Sequence, residues 1–290
     1  MKTIFNLSII ISIVVLLFST SCEEECPYIN YEAADTSLFD TTYISPTSVS
    51  ALPKKVLIED FTGARCPNCP NAAAKLKDIT TANPGRIIAM AIHPKGIPFT
   101  TPHDLTADYR TDDGTIIFAL LNEGPLPIGG INRVLHSGES NILVRLDVWN
   151  NYVDQQLALS SPVNIKLTST PHATESNTFI INAEIHYTTA SLDTNYLTIA
   201  LTESDLVSPQ TLPNSTVDTF YVNNHVLRDV ITNPVGNLLV NGPEVNRVFI
   251  KEFKVKVDDN WNPDNCSIVS FVHKSGSSFD VLQVEEIHLK

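Results

Sequence analysis

The chain has 290 residues, enough for two domains of ordinary size, and its 43% hydrophobic and 18% charged content describe a globular protein that buries a core. The formal net charge is −13 and no basic run occurs anywhere. Nucleic-acid binding is therefore not expected, because neutralising phosphates needs clustered Lys and Arg.

Residues 1–21 read as a signal peptide. Met1-Lys2 gives a minimal positive start, and the apolar region from Ile9 to Phe18 is too short to be a comfortable membrane span. Ser19-Thr20-Ser21-Cys22 resembles a bacterial lipobox, with Ser19 where such signals usually carry Leu. On that reading Cys22 is lipidated and its acyl chains make the membrane the first partner of the protein. The alternative is a soluble secreted protein cleaved nearby. Glu23-Glu24-Glu25 resembles the acidic tag that sends some lipoproteins to the outer face of the outer membrane. Residues 22–53, rich in Ser, Thr, Asp, Tyr and Pro, read as a lipidated tether.

Export places the remaining cysteines where disulfides persist. Cys66 and Cys69 form a local pair. Cys26 and Cys266 either bridge the tether to the C-terminal part or stay as separate thiols, since sequence alone does not set connectivity.

Residues 54–160 carry an α/β pattern. Val56-Leu57-Ile58 reads as a buried strand, Glu59 to Arg65 leads from it, and Cys66-Pro67-Asn68-Cys69 follows. Asn71 to Ile79 is a helix with an apolar stripe at Ala72, Leu76 and Ile79, ending before Asn83-Pro84-Gly85. Strand, turn, Cys-x-x-Cys and helix is the arrangement of a thioredoxin-like redox site. Arg86 to His93 is nearly continuous in apolar residues, as befits a strand covered on both faces. A proline-rich loop and a helical pattern over Tyr109 to Glu123 come next. In Gly124-Pro125-Leu126-Pro127, Pro127 is the candidate for the cis-proline that thioredoxin-like folds set before a strand, with an ordinary trans-proline as the alternative. The long separation from Cys69 implies an inserted segment over residues 94–113. Ile142 to Leu159 reads as a last helix.

Beyond Pro162 the grammar changes to period-two runs divided by turns. Strands are expected over residues 163–167, 179–187, 196–201, 248–257, 267–272 and 281–287. About seven strands in residues 161–290 describe an antiparallel, immunoglobulin-like β-sandwich. The expected fold class is thus a thioredoxin-like α/β domain followed by an all-β domain.

The chemistry expected of the first domain is thiol–disulfide exchange. Cys66, near a helix N-terminus, would be the attacking thiolate and Cys69 the resolving thiol. Asp60, six residues ahead of Cys66, would accept the proton of Cys69, and Pro127 would shape the substrate groove. Arg65 stands where thioredoxins commonly carry Trp, and as a cation it could lower the Cys66 pKa. The same pair also reads as a structural disulfide. A metal site would need a second ligand pair at suitable spacing, and no metal or cofactor is expected. His93 and His103 flank the inserted loop and read as ordinary loop residues, with a place lining the redox groove as the alternative; His186 and His225 read as partly buried residues on or beside strands, and Glu59 as a solvent-facing strand end.

Taken together, the chain resembles a family of Bacteroidetes-type outer-membrane lipoproteins typified by a twenty-eight-kilodalton outer-membrane antigen. The resemblance rests on Glu59-Asp60-Phe61-Thr62-Gly63 leading into Cys66 to Pro70, and on Pro127 to Arg133. It is supported by Asn224-His225-Val226-Leu227-Arg228 and Val281-Leu282-Gln283. It implies a thioredoxin-like domain joined to an immunoglobulin-like domain, exposed at the cell surface, with an adhesion or receptor-like role. Two functions are carried forward. One is a non-enzymatic surface lipoprotein that binds an envelope or host partner. The other is a cell-envelope thiol–disulfide oxidoreductase using Cys66 and Cys69.

Overall fold

Sixteen strands and three α-helices occupy the residues that the computed structural model describes, 37–276 and 278–290. The first half holds β1 (Ser37–Ile44), β2 (Val56–Phe61), α1 (Cys69–Ala82), β3 (Ile87–Pro94), β4 (Arg110–Thr111), α2 (Asp112–Leu120), β5 (Ile128–Ile131), β6 (Leu143–Val144) and α3 (Trp149–Leu157). β2 and β3 run parallel, from Val56 opposite Ile87 to Phe61 opposite Ile92, and are buried along their whole length. That burial on both faces is why they read as unbroken apolar runs. Val56, Ile58, Ile87 and Ala89 pack under Ala72, Leu76 and Ile79 of α1 and Trp149 of α3. Leu57, Phe61, Met90 and Ile92 face the other way, onto Ile117 and Phe118 of α2. β5 lies antiparallel to β2, and β6 to β5. Gly129 in β5 admits α3: a Cβ there would fall 2.4 Å from Trp149 Cζ2.

The second half holds β7 (Val163–Pro171), β8 (Thr178–Tyr187), β9 (Thr194–Glu203), β10 (Leu206–Thr211), β11 (Val217–Asn223), β12 (Val226–Val230), β13 (Asn237–Asn241), β14 (Arg247–Lys256), β15 (Cys266–Lys274) and β16 (Val281–His288). One sheet is ordered β1-β14-β8-β7. Its inward residues, among them Ile165, Ile181, Ile185 and Phe253, meet Ile199, Leu201 and Ile268 of β9 and β15. The alternation seen in the sequence is this one-sided burial.

The α/β part and the β-rich part share a sheet across the expected boundary at 160/161. Its order is β16-β15-β9-β12-β3-β2-β5-β6, with β13 also on β9 and β4 on β3. β12 makes the junction, parallel to β3 and antiparallel to β9, and Ala91 N–H donates to the His225 carbonyl at 2.8 Å. A second weld lies at the end of β5. Val281 N–H donates to the Asn132 carbonyl, and Leu57 N–H to Asn132 Oδ1, both at 2.8 Å. Arg133, held at φ 52°, reaches the Glu59 carboxylate at 2.6 Å and lies 4.8 Å over the Phe271 ring. Glu59 is therefore fully buried and ion-paired, not the solvent-facing strand end expected of it.

Part of the stretch expected as tether is β1, hydrogen-bonded along β14. The helix expected over 109–123 is shorter, because the Thr111 side chain caps it by accepting from Gly114 N–H. The helix expected over 142–159 begins only at Trp149, since Leu143 and Val144 pair instead with Gly130 and Gly129.

Candidate functional site

The turn that starts α1 is built around a disulfide between Cys66 and Cys69, with Cα atoms 5.4 Å apart. Pro70 sits in the first helical turn, where a missing N–H costs nothing. Cys66 N–H donates to the Gly63 carbonyl at 3.0 Å. Gly63 allows a close backbone approach, as a Cβ there would lie 2.5 Å from the Phe99 carbonyl oxygen. Arg65 N–H donates to that same oxygen at 2.9 Å, and the guanidinium donates to the Thr101 and Pro102 carbonyls at 3.1 Å each. Arg65 thus anchors the proline-rich loop.

Both cysteines are buried, at 1% and 2% exposure. Their cover is the β10–β11 hairpin, a two-stranded sheet that no expectation from the sequence included. The Gln210 side-chain amide donates to the Gly63 and Cys66 carbonyls at 3.2 Å each. Thr211 N–H donates to the Ala64 carbonyl at 2.8 Å, and the Thr211 hydroxyl is 2.9 Å from His103 Nε2. Val207, Phe220 and Val222 of the hairpin are exposed, Phe220 at 81%.

Behind the disulfide lies a cavity of about 580 Å³ between α1, the carboxyl ends of β2 and β3, and the hairpin. Its floor holds Asp60 of β2 and Thr62 just beyond it, with Ala91 and His93 of β3, and Cys69 lines it beside them. Asp60 is buried, its Oδ1 lacks a hydrogen-bond partner, and burial pushes its carboxyl up to about 7. His93 is a buried residue near the end of β3, not an ordinary loop residue, and lines the cavity beside Cys69. Its Nδ1 also lacks a partner, burial pulls it down to about 4, and its ring meets Tyr109 edge-on at 5.7 Å. His225 lines the cavity too, and burial lowers its pKa.

The structure thus brings Cys69 and Asp60 to one cavity. Pro127 follows a cis peptide from Leu126, directly ahead of β5, and does not line that cavity. Cys266 is a free, fully buried thiol that burial pushes up to about 12, whereas Cys22 and Cys26 lie outside the described residues. Among the described residues no group of three or more His, Cys, Asp or Glu side chains could hold a metal, and no helix is long and apolar enough to cross a membrane. Gln210, Tyr221 and His225 are the site residues that sequence reasoning missed as such. The signal available was the His225 to Arg228 stretch, which the fold uses as its junction strand.

Residues 121–290 match the sequence profile of the family described as Outer membrane protein Omp28. The chain belongs to the Omp28 family. As a member it is an outer membrane protein, and the match takes in the hairpin, the junction strand and the whole β-rich part, while leaving out Cys66 and Cys69. No curated protein matches this Omp28-family chain. Among solved structures it is similar to HBP35 of Porphyromonas gingivalis, with a TM-score of 0.65 and 16% identity over 84% of this chain and 77% of that one. That likeness concerns the fold. A protein of Agrobacterium tumefaciens matches with a TM-score of 0.49 and 11% identity, over 83% of this chain and 97% of that one. A domain of the outer membrane lipoprotein Omp28 of Porphyromonas gingivalis matches with a TM-score of 0.31 and 17% identity, over 45% of this chain and 89% of that one.

Proposed function

We propose that this protein is a lipid-anchored binding protein of the outer membrane, displayed at the cell surface through Cys22, in which the Cys66–Cys69 bridge is a structural link. Residues 54–160 then form a thioredoxin-like unit whose outer strand, β12, comes from an immunoglobulin-like sandwich formed by residues 161–290. The parallel β2–α1–β3 unit, the antiparallel β5–β6 pair and α3 on the α1 face support that division. The observation that carries the functional reading is the burial of both cysteines under the β10–β11 hairpin. Thiol–disulfide exchange proceeds by attack of a thiolate on an accessible sulfur, and a helix N-terminus that stabilises a thiolate cannot replace that access. The experiment is insulin reduction by the mature protein with dithiothreitol. Turnover equal to that of Cys66→Ser is expected, and turnover above it overturns the reading.

A second reading, a cell-envelope oxidoreductase, is favoured by Asp60. A buried carboxyl titrating near neutrality, in the same cavity as Cys69, suits a group that takes the proton of a resolving thiol. In that case Cys66 attacks, Cys69 resolves and Pro127 shapes the groove, and the hairpin must move first.

A further inference from the structure

The sheet ordered β1-β14-β8-β7 ends on a strand that is open along its outer side. Among the described residues β1 pairs with β14 and with no other strand. Ser45 N–H donates to the Asn246 carbonyl at 2.9 Å, and the register runs unbroken from Phe39 opposite Glu252 to Ile44 opposite Arg247, slipping only between Ser37 and Phe39. Alternation then turns the N–H and C=O groups of Thr41 and Tyr43 toward β14, and those of Asp40, Thr42 and Ile44 toward the open side. Soluble proteins commonly blunt such an edge with lysine or proline. β1 has neither, and it exposes Leu38, Phe39, Tyr43 and Ile44, each at 45% or more.

The sequence of β1 also says what fits it. Outward from Thr41 it is symmetric in character: Asp40 and Thr42, then Phe39 and Tyr43, then Leu38 and Ile44. Two copies laid antiparallel about a two-fold axis at Thr41 therefore match themselves. Phe39 of each copy stands opposite Tyr43 of the other, Leu38 opposite Ile44, and Asp40 opposite Thr42. The hydrogen-bond parity agrees with this register. Asp40 and Thr42 both offer backbone groups to the open side and so exchange bonds, while the Phe39–Tyr43 pairs fall at the closer, unbonded positions that favour aromatic contact. The charges agree as well. Arg247 Nη1 lies 3.4 Å from Thr42 Oγ1, so the guanidinium of one copy comes beside Asp40 of the other, which its own Lys251 holds at 2.6 Å from the opposite side. A lipid surface would leave the open N–H and C=O groups unanswered. We infer that β1 pairs with β1 of a second copy of this chain, joining two four-stranded sheets into one across a two-fold axis at Thr41.

A single strand pair is small against the roughly 1,200 Å² that stable complexes of free proteins bury. An outer membrane protein works under other conditions, since copies held in one membrane meet at a high effective concentration. The pairing is therefore expected in the cell envelope rather than in dilute solution. It uses no residue of the disulfide or its cavity, and it goes beyond the binding role proposed above.

The test is oxidative cross-linking of the full chain in intact cells with copper phenanthroline, read on gels without reductant. Thr41→Cys sets two thiols opposite each other at a Cα separation of about 4.5 Å, within disulfide reach, whereas Thr42 would lie roughly 9 Å from Thr42 of the second copy. Thr41→Cys is expected to give a band at twice the mass of the chain, at least tenfold stronger than Thr42→Cys and than the wild type, whose Cys26 sets the background. Adding Thr42→Pro removes an N–H on the open side, spares the bonds to β14, and is expected to lower that band at least tenfold. Adding Tyr43→Lys instead is expected to do the same without touching the backbone. No band above the wild type, or equal bands from Thr41→Cys and Thr42→Cys, overturns the inference. A band insensitive to both added substitutions overturns it too. So does Thr41→Cys joined to Cys26 of its own chain or to a different protein, because the edge then has another occupant.

Discussion

Gln210 donates its side-chain amide to the backbone carbonyl of Cys66 at 3.2 Å, joining residues 144 positions apart in sequence. The same nitrogen holds the Gly63 carbonyl, so one side chain of the β10–β11 hairpin clamps both ends of the turn that leads into the disulfide. Among the described residues the hairpin pairs with no other strand. Its polar ties to the rest of the molecule include these bonds, those of Thr211 to Ala64 and His103, and that of Ser208 to Tyr109.

Gln210→Ala removes two buried hydrogen bonds and leaves two carbonyls without that donor. At about 1 kcal/mol for each bond, opening of the hairpin becomes roughly tenfold or more easier. Reduction of Cys66–Cys69 by dithiothreitol in native buffer, followed by alkylation and mass spectrometry, is expected to accelerate by at least that factor. An unchanged rate would show that the hairpin is not the barrier.

Asp60 makes stability fall as pH rises. Its carboxyl titrates at about 7 in the folded protein against an ordinary value of 3.8, so between those values the folded state holds a proton that the unfolded chain has lost. His93 acts in the opposite sense, lowering stability as pH falls from 6.5 toward 4, because the unfolded chain then takes up a proton that the folded state refuses. Asp60→Asn cancels only the first effect. Urea denaturation is expected to show that its stability advantage over the wild type grows by roughly 2–3 kcal/mol between pH 5 and pH 7. A constant difference across that window contradicts the assignment.

Glu59 and Arg133 form a bidentate pair, with Nε to Oε2 at 2.8 Å and Nη2 to Oε1 at 2.6 Å, and both side chains are fully buried. Glu59→Leu leaves the guanidinium without its counter-charge and is expected to cost about 3–5 kcal/mol in urea denaturation. Combining it with Arg133→Met removes both charges and should recover most of that loss. A double variant no better than the single one would mean that packing, not charge, dominates the site.

Lipid anchoring at Cys22 is tested in cells. Cys22→Ser is expected to release the protein from the membrane fraction, and protease shaving of intact cells is expected to digest the wild type. Retention of the variant would remove the anchor, and protection of the wild type would indicate a periplasmic orientation.

Much of the α/β part is legible in the sequence because its signals are local. A fully buried parallel strand shows as Val56-Leu57-Ile58 or as the run from Ile87 to Ile92, and a helix stripe shows as Ala72, Leu76 and Ile79. The long antiparallel strands β7, β8, β14 and β16 show through alternation, since one face is buried and the other open. What was not legible is the segment from Leu206 to Asn241. Pro209 interrupts β10, β11 exposes alternate positions without an apolar face, and β12 is a short strand whose partners, β3 and β9, are distant in sequence. Glu59 misled for a related reason. A carboxylate at a strand end reads as exposed unless its cation is known to arrive, and Arg133 arrives only through two consecutive residues with positive φ after β5. The cover of the disulfide, and with it the cavity, is a product of these non-local pairings.

The central claim is that the Cys66–Cys69 bridge is sealed and structural. The most direct measurement is its rate of reduction by dithiothreitol in native buffer, compared with the same protein in denaturant. A sealed bridge reduces at least a hundredfold more slowly in the folded protein, and its loss destabilises the fold by about 2 kcal/mol, the chain-entropy value for so short a loop. Equal rates in the two conditions, with the fold unharmed by reduction, would contradict the account.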